Sequence, residues 1–331
     1  MVHPLLAASF DGLSIKELSD ISGYLVEKVY RPGEVILNQG TVSGILFFIT
    51  SGQVIVKIVL PGGMLKAAAK LDAGAFFGEI GFLAHDLIAG TMIADEEVTC
   101  LTLHHKVLDA MRVGSPSTAF KFERAIARQS SKKSIEYLHK IRTLLHSVTL
   151  VHPLKVGHGH YLPNTAAGFD VIEMKTLNPV FLAKIPFFAG FSPEEMDTLM
   201  PFLEAHRYDK GYRFLPNDPQ SHGIHVISSG AVMLFLKENE ILLKSIAVAG
   251  AGEIFFTDFF DQQFSGITQT VTCEPSVIIK LGFSGYTKLH ELHPEIFYKI
   301  SHLLHKRVVN SLYILNREFV RMNCEYHDLL G

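Results

Sequence analysis

Three stretches of the chain decide its fold, and each of them occurs twice in the same order. The first copy reads YRPGEVILNQG (30–40), FFITSGQVIVKI (47–58) and AGAFFGEIGFL (73–83). The second copy reads YDKGYRFLPND (208–218), IHVISSGAVMLFL (224–236) and AGAGEIFF (249–256). Gly211 and Gly230 follow Gly33 and Gly52 by the same 178 residues. Glycine turns in constant order, flanked by β-branched residues, indicate an internal repeat.

A short Gly-Glu-Ile motif belongs to both copies. It is Gly78-Glu79-Ile80 in the first copy and Gly252-Glu253-Ile254 in the second, at a spacing of 174 residues. We interpret these motifs as equivalent, which implies that a few residues are lost before the second one. Glycine at such a point suits a tight turn whether or not a ligand binds there.

Each repeat is predicted to run helix, β-structure, helix. The short β-rich runs separated by glycine are typical of a sandwich or a barrel. Before them, Ser192-Pro193 has the composition of a helix N-terminus. After them, residues 104–148 and 284–326 are rich in helix-forming residues, and the Gly, Pro and His residues of 152–167 suggest a connection between the halves.

Composition and length set the class of protein. The chain has 331 residues, of which 48% are hydrophobic and 19% charged, with a formal charge of −3. These values predict a globular protein without the overall basic charge that binds nucleic acid. We place a first domain at 1–148, a linker at 149–180 and a second domain at 181–331.

The location of the protein is inferred from the signals that the sequence lacks. No apolar run approaches the roughly 20 residues of a membrane span. The amino terminus does not have the order of a secretory signal, and the three cysteines form no CxxC pair. The expected location is the cytoplasm.

The glycine-containing turns have the order found in a known family. Arg31-Pro32-Gly33-Glu34, Thr50-Ser51-Gly52 and Phe76-Phe77-Gly78-Glu79-Ile80 resemble the cyclic nucleotide-binding domain, and so does the second copy. The resemblance implies a mixed α+β fold of two jelly-roll β-barrel cyclic nucleotide-binding-like domains with flanking helices. It also implies a short phosphate-binding cassette between two strands of each barrel.

The resemblance also implies which residues would bind a ligand. The family binds the ribose 2′-hydroxyl with the glutamate of the Gly-Glu pair and the phosphate with an arginine about nine residues later. Transferred to this chain, the candidate ligand-binding residues are Gly78, Glu79, Ile80, Ile88, Ala89 and Thr91, with Gly252, Glu253 and Ile254 in the second copy.

The arginine of the family is absent from both cassettes. The first cassette has Leu87-Ile88 where Pro-Arg is expected, and the second has no Arg or Lys between Glu253 and Lys280. A phosphate without its guanidinium loses about 2–4 kcal/mol of binding free energy. The sequence therefore predicts weak or lost cyclic nucleotide binding.

Two interpretations of the glutamates stay open. Glu79 either binds a ribose hydroxyl or caps the backbone of its own glycine turn, whereas for Glu253 the capping interpretation is favoured. An uncharged purine nucleoside needs the glutamate without the arginine. It is therefore an alternative ligand for the first domain.

Other functional classes find little support. The chain has none of the GxSxG, HExxH, Walker or kinase motifs, so we expect no enzyme and no cofactor. The histidine pairs lack a third ligand, which argues against a metal site. The chain leaves no room for a DNA-reading helix pair after the second barrel. The basic run 121–133 is interpreted as a solvated helix face.

The last helix carries an apolar stripe that must pack against another surface. Its members are Ile300, Leu304, Val308, Leu312, Leu315 and Phe319. The stripe either packs on the second barrel or forms the contact with a protein partner or a second copy of the chain. The favoured function is a non-enzymatic regulatory or scaffolding protein. The alternative is a sensor of a cyclic nucleotide or purine nucleoside in the first domain.

Overall fold

The computed structural model shows two compact units. The structure describes residues 2–10, 12–59, 63, 65–151, 167–174, 177–215, 218–238, 241–257 and 266–330, without the side chains of 148–151, 179 and 325–330. The first unit contains residues 1–144 and 304–331, and the second contains residues 145–303. The last part of the chain therefore groups with the first barrel, whereas we had assigned it to the second domain.

The first unit is a β-barrel of two four-stranded antiparallel sheets. Its strands are β1 (Val26–Tyr30), β2 (Val35–Leu37), β3 (Ile45–Ser51), β4 (Val54–Val59), β5 (Leu65–Leu71), β6 (Phe76–Phe77), β7 (Thr91–Ala94) and β8 (Val98–His104). The strand orders β1-β8-β3-β6 and β2-β7-β4-β5 are those of a jelly roll. A π-helical turn, Ile80–Ala84, follows β6.

In the described part of residues 1–151, four helices accompany this barrel. They are α1 (Pro4–Ser9), α2 (Ile15–Ser22), α3 (His105–Gly114) and α4 (Pro116–Val151). Helix α2 begins with a capping box, since the Ser14 side chain accepts from the Glu17 N–H and the Glu17 side chain accepts from the Ser14 N–H. The 36-residue α4 places one face on the barrel, with Phe122, Ile126 and Leu138 buried.

The second unit repeats the barrel with one additional strand. Its strands are β9 (Phe169–Ile172), β10 (Leu203–Tyr208), β11 (Arg213–Phe214), β12 (Gly223–Ser229), β13 (Ala231–Glu238), β14 (Ile241–Gly250), β15 (Ile254–Thr257), β16 (Thr268–Thr272) and β17 (Ser276–Leu281). They form the sheets β15-β12-β17-β10-β9 and β11-β16-β13-β14. The predicted fold class, mixed α+β with two jelly-roll barrels and flanking helices, is confirmed.

The second unit contains the following helices. They are α5 (Pro179–Leu182), α6 (Pro193–Leu199), α7 (Phe283–Leu292) and α8 (Pro294–Leu330), of which α8 continues into the first unit. Ser192 and Glu195 form a capping box with Pro193 at the first turn, as the sequence predicts for this helix. The predicted connection 152–167 lies almost wholly outside the described residues.

Contacts within the chain account for the apolar stripe of α8. Ile300, Leu304, Val308, Leu312 and Leu315 are buried, and the Phe319 ring lies 5.7 Å from that of Tyr137. The partner or homodimer contact stays a prediction, because the stripe no longer requires one.

A buried ionic cluster attaches α8 to the helices of the first unit. The His305 Nδ1 lies 3.2 Å from one Glu123 carboxylate oxygen, and Arg112 Nε donates to the other at 2.7 Å. His305 and Glu123 are both buried. His305 therefore lies on a buried face of α8.

The strand register corrects the alignment of the two repeats. Phe47 pairs with Phe77 across β3 and β6, and His225 pairs with Phe255 across β12 and β15, so the offset of 178 residues persists through this region. Gly74 N–H donates to the Ile49 carbonyl as Gly252 N–H donates to the Ile227 carbonyl. Gly252-Glu253 is thus the equivalent of Gly74-Ala75. The predicted equivalence with Gly78-Glu79 is wrong, because no residues are lost before the second motif.

Candidate ligand-binding site

The turn after β6 depends on the glycine at position 78. Gly78 has φ of +84°, and a Cβ at this position would collide with the carbonyl oxygen of Ile45. Only glycine adopts this conformation without strain. Glu79 follows Gly78 directly and is the last residue before the π-helical turn Ile80–Ala84. The backbone position of Glu79 is therefore fixed by the turn on one side and the helix on the other.

Glu79 is a buried carboxylate with a charged partner. It is 4% exposed, and its Oε1 lies 2.6 Å from the Nζ of Lys133 on α4. The same ammonium donates to the Phe76 carbonyl at 2.8 Å and lies 4.7 Å from the centre of the Phe76 ring. Burying a carboxylate is costly unless a partner replaces its lost interactions with water. Lys133 therefore belongs to the site, although the sequence analysis assigned it to a solvated face.

A cleft surrounds this ion pair. Its interior volume is about 120 Å³, less than the roughly 300–1,000 Å³ typical of sites for drug-sized molecules. It is lined by Val56, Ala69, Lys70, Leu71, Phe77, Gly78, Glu79, Ile80, Gly81, Ile88, Ala89, Gly90, Met92, Lys133, Glu136, Tyr137, Lys140, Leu312 and Asn316. The lining includes five of the six predicted first-domain residues. The sixth, Thr91, is buried nearby, where its Oγ1 accepts from the Gln39 N–H.

The position expected for the phosphate-binding arginine is apolar. Ile88 is 3% exposed and packs with Phe47 and Phe77 in the core of the barrel while also lining the cleft. The cationic side chains of the cleft come from other elements, Lys70 from β5 and Lys133 and Lys140 from α4. Lys140 Nζ donates to the Ala68 carbonyl.

The wall opposite the cassette is built by α4 and α8. Tyr137 is buried, and its hydroxyl accepts a 2.7 Å hydrogen bond from Asn316 Nδ2. Burial raises the pKa of Tyr137 to about 12, so its hydroxyl stays protonated near neutral pH. The sequence analysis missed both residues. They lie 179 positions apart, and no local pattern connects them.

The Gly-Glu pair of the second barrel lies elsewhere. Glu253 is exposed, and its Oε2 accepts from the Gly250 N–H at 2.8 Å, the hydrogen bond that the turn-capping interpretation requires. Ile254 opens strand β15. The positions equivalent to Gly78 and Glu79 are Phe256 and Thr257, so Gly252, Glu253 and Ile254 do not form a second cassette of this kind. The acidic loop 258–265 lies outside the described residues.

The interior of the second barrel carries buried polar groups instead. His225 stacks on Phe255 with ring centres 4.7 Å apart, as Phe47 stacks on Phe77 at 4.9 Å in the first barrel. Burial lowers the pKa of His225 to about 4. Lys280, its neighbour across the strands, donates to the Pro219 carbonyl at 2.9 Å. Among the described residues, no group of His, Cys, Asp or Glu is arranged to hold a metal ion.

The first barrel is similar to a known family. The family model described as the cyclic nucleotide-binding domain matches residues 27–113, which contain most of this barrel. The cleft around Glu79 lies between this domain and the helices α4 and α8 of the same unit. No helix in the described part of the chain is long and apolar enough to cross a membrane.

Known proteins share this domain in different contexts. The chain is 26% identical over 123 residues to a cGMP-dependent protein kinase of Eimeria tenella, which corresponds to 37% of this chain and 12% of the kinase. It is 26% identical over 127 residues to the cyclic AMP receptor protein of Thermus thermophilus, covering 38% of this chain and 59% of that protein. The chain thus spans less than two thirds of these relatives.

A structural neighbour extends over both units. The regulatory domain of Toxoplasma gondii PKA, solved with cAMP, aligns with 93% of this chain and 95% of its own at 13% identity, with a TM-score of 0.33.

Proposed function

We propose that the protein is a non-catalytic regulatory protein whose first domain senses a purine nucleoside or nucleotide and binds cyclic nucleotides weakly. The observation that carries the proposal is Glu79, a buried carboxylate that lines an open cleft beside the cassette. A carboxylate in this place can accept hydrogen bonds from ribose hydroxyls.

The cassette itself offers no cation to a cyclic phosphate. At the cassette a phosphate would meet the apolar Ile88, and the cassette 78–91 contains no Arg or Lys. The loss of the guanidinium weakens binding by about 30- to 1000-fold. A nucleoside carries no phosphate and avoids this loss.

A second candidate function follows from the ion pair itself. Lys133 pairs with the Glu79 carboxylate, with 2.6 Å between Nζ and Oε1. If this ion pair takes up the hydrogen-bonding capacity of Glu79, the first barrel serves as an interaction module. Its binding partner is then another protein or a second copy of the chain. This candidate predicts that the cleft binds no nucleoside.

Isothermal calorimetry on the full chain separates the two candidates. We expect adenosine or inosine to bind, and cyclic AMP and cyclic GMP to bind no more tightly. Glu79→Gln is expected to weaken nucleoside binding about tenfold by removing the charged acceptor. Glu253→Gln is the matched control in the second barrel and is expected to change nothing.

Two results would contradict the proposal. Submicromolar binding of cyclic AMP or cyclic GMP would show that the cleft holds a phosphate without the arginine. Absence of binding by all four compounds would leave the interaction module.

A further inference from the structure

The two barrels differ at one edge of one sheet. In the second barrel, β9 pairs antiparallel with β10 and covers its outer edge. The equivalent of β10 in the first barrel is β1, because β1 pairs with β8 in the register in which β10 pairs with β17. Tyr30 and Tyr208 occupy the same place in the two ladders. Among the described residues, no strand pairs with the outer edge of β1, so the first barrel has an open edge where the second has a strand.

The open edge exposes both apolar and charged side chains. Val26 is 59% exposed and Val29 is 55% exposed. Glu27, Lys28 and Arg31 are exposed as well, and none of these three forms an ion pair within the described part of the chain. The unpaired backbone groups of an edge strand are a template for pairing with another strand. The β1 edge can therefore accept one more strand.

One row of side chains on this edge is complementary to itself. Alternate residues of a strand share a face, so Glu27 and Val29 of β1 form one row with Arg31, which directly follows the strand. The row runs negative, apolar, positive. In an antiparallel pair of two copies centred on Val29, each Glu27 lies directly opposite Arg31 of the other copy. Opposite charges in this position stabilise the pairing.

Charge selects this register over its neighbours. In a twofold-symmetric pair, directly opposite residues share a face, so one residue of each strand faces its own copy. An axis through Lys28 places two ammonium groups opposite each other, and an axis through Glu27 places two carboxylates opposite each other. Like charges directly opposite are destabilising. An axis through Val29 avoids both conflicts and brings two valines together.

The second barrel shows the same kind of matching within the chain. Arg207 of β10 is the equivalent of Val29, and Asp170 of β9 lies directly opposite it in the ladder. The strand that covers this edge in the second barrel thus carries a residue of opposite charge at the facing position. The same edge in the first barrel requires a strand that matches Glu27, Val29 and Arg31.

We propose that the β1 edge is a dimerisation surface, at which a second copy of the chain adds its own β1 antiparallel in the register centred on Val29. The two four-stranded sheets β1-β8-β3-β6 then form one continuous sheet. A pair of short strands buries less than the roughly 1,600 Å² of a standard interface, so the dimer is weak and depends on concentration. The surface involves neither the cleft around Glu79 nor the apolar stripe of α8, so the inference is independent of the proposed function.

Sedimentation equilibrium of the full chain tests the dimer between about 1 µM and about 1 mM. The apparent mass is expected to rise with concentration above the 36.8 kDa of the monomer. Glu27→Arg and Arg31→Glu are each expected to weaken dimerisation about tenfold, because both cross-strand pairs then carry like charges. The double variant Glu27→Arg/Arg31→Glu restores opposite charges and is expected to regain the original affinity within about twofold.

Mixing the two single variants gives an independent measurement. In a mixed dimer of Glu27→Arg with Arg31→Glu, both cross-strand pairs again join an arginine to a glutamate, so the mixture is expected to dimerise more tightly than either variant alone. Glu291→Arg is the matched control. It makes the same charge change at an exposed residue of α7 in the second unit and is expected to leave the affinity unchanged.

Several results would overturn the proposal. A monomer over the whole range would leave the edge free for an extended segment of another protein. A dimer that neither single variant weakens would have its interface elsewhere, and a double variant no tighter than the single ones would exclude this register. The Glu34 side chain accepts from the Arg31 N–H, so Arg31→Glu also tests the turn. Should that variant not fold, Val29→Asp decides, because it places two carboxylates opposite each other, and an unchanged affinity contradicts the proposal.

Discussion

Replacing Lys133 by methionine tests how far one buried ion pair stabilises the cleft. Methionine keeps most of the length and the apolar stem of lysine but removes the ammonium. Glu79 is then left buried without its partner at 2.6 Å, and the Phe76 carbonyl and ring lose their contacts with the same nitrogen. The substitution therefore isolates the charge from the packing.

The magnitude follows from the burial of the two side chains. Breaking a fully buried pair by removing one partner costs about 3–5 kcal/mol. The Lys133 side chain is 23% exposed and that of Glu79 is 5% exposed, so water screens part of this cost. We expect a destabilisation of about 2–4 kcal/mol. Glu79→Gln combined with Lys133→Met is expected to recover about half of it, because no carboxylate then stays unpaired.

Hydrogen exchange followed by mass spectrometry measures this change in the first unit alone. Peptides from β6 and α4 are expected to exchange roughly 30- to 900-fold faster in Lys133→Met, whereas peptides of the second barrel keep their rates. The more exposed pair Lys299–Glu195, with a separation of 2.7 Å, provides the control. Lys299→Met is expected to cost less than about 1 kcal/mol. Equal effects of the two substitutions would refute the reasoning, since burial would then not decide the cost.

Two further predictions concern the cassette and the second barrel. Ile88→Arg places a guanidinium in the cleft and is expected to raise the affinity for cyclic AMP at least tenfold in calorimetry. Ile88→Met is the size control. Equal affinities of the two variants would mean that the cassette alignment is wrong. Burial lowers the pKa of His225 from 6.5 to about 4, so as the pH falls this histidine binds a proton in the unfolded chain before it does so in the folded chain. The free energy of unfolding of the second barrel is therefore expected to fall by about 3 kcal/mol between pH 6.5 and 4. His225→Phe should flatten the exchange rates of β12 peptides over this range, and an unchanged pH dependence would contradict the assignment.

The repeat and the first cassette could be predicted from the sequence because their signals are local. Gly33, Gly52 and Gly78 all have positive φ, a backbone conformation that glycine adopts more easily than other residues. The residue type itself therefore indicates these turns. The same holds for the Ser192 capping box, which involves residues three apart. Five of the six residues predicted for the first domain line one cleft because the cassette is a continuous segment.

Register and long-range partners were decided only by the tertiary structure. The Gly-Glu pair at 252–253 looks like the one at 78–79, yet the pairing of His225 with Phe255 shows that it occupies a different turn. A dipeptide does not specify its strand partner, whereas the ladder of hydrogen bonds does. The alignment of the two Gly-Glu motifs therefore overestimated the similarity of the two barrels.

The sequence alone determined the two-barrel architecture and the position of Glu79, because turn geometry and strand periodicity depend on neighbouring residues. Only the tertiary structure brought Lys133 to that carboxylate and Tyr137 and Asn316 to the cleft around it. Lys133 and Tyr137 lie on a helix whose burial pattern depends on the barrel beside it, and Asn316 comes from the far end of the chain. Contacts at such separation arise from packing of the whole unit, and no local pattern encodes them.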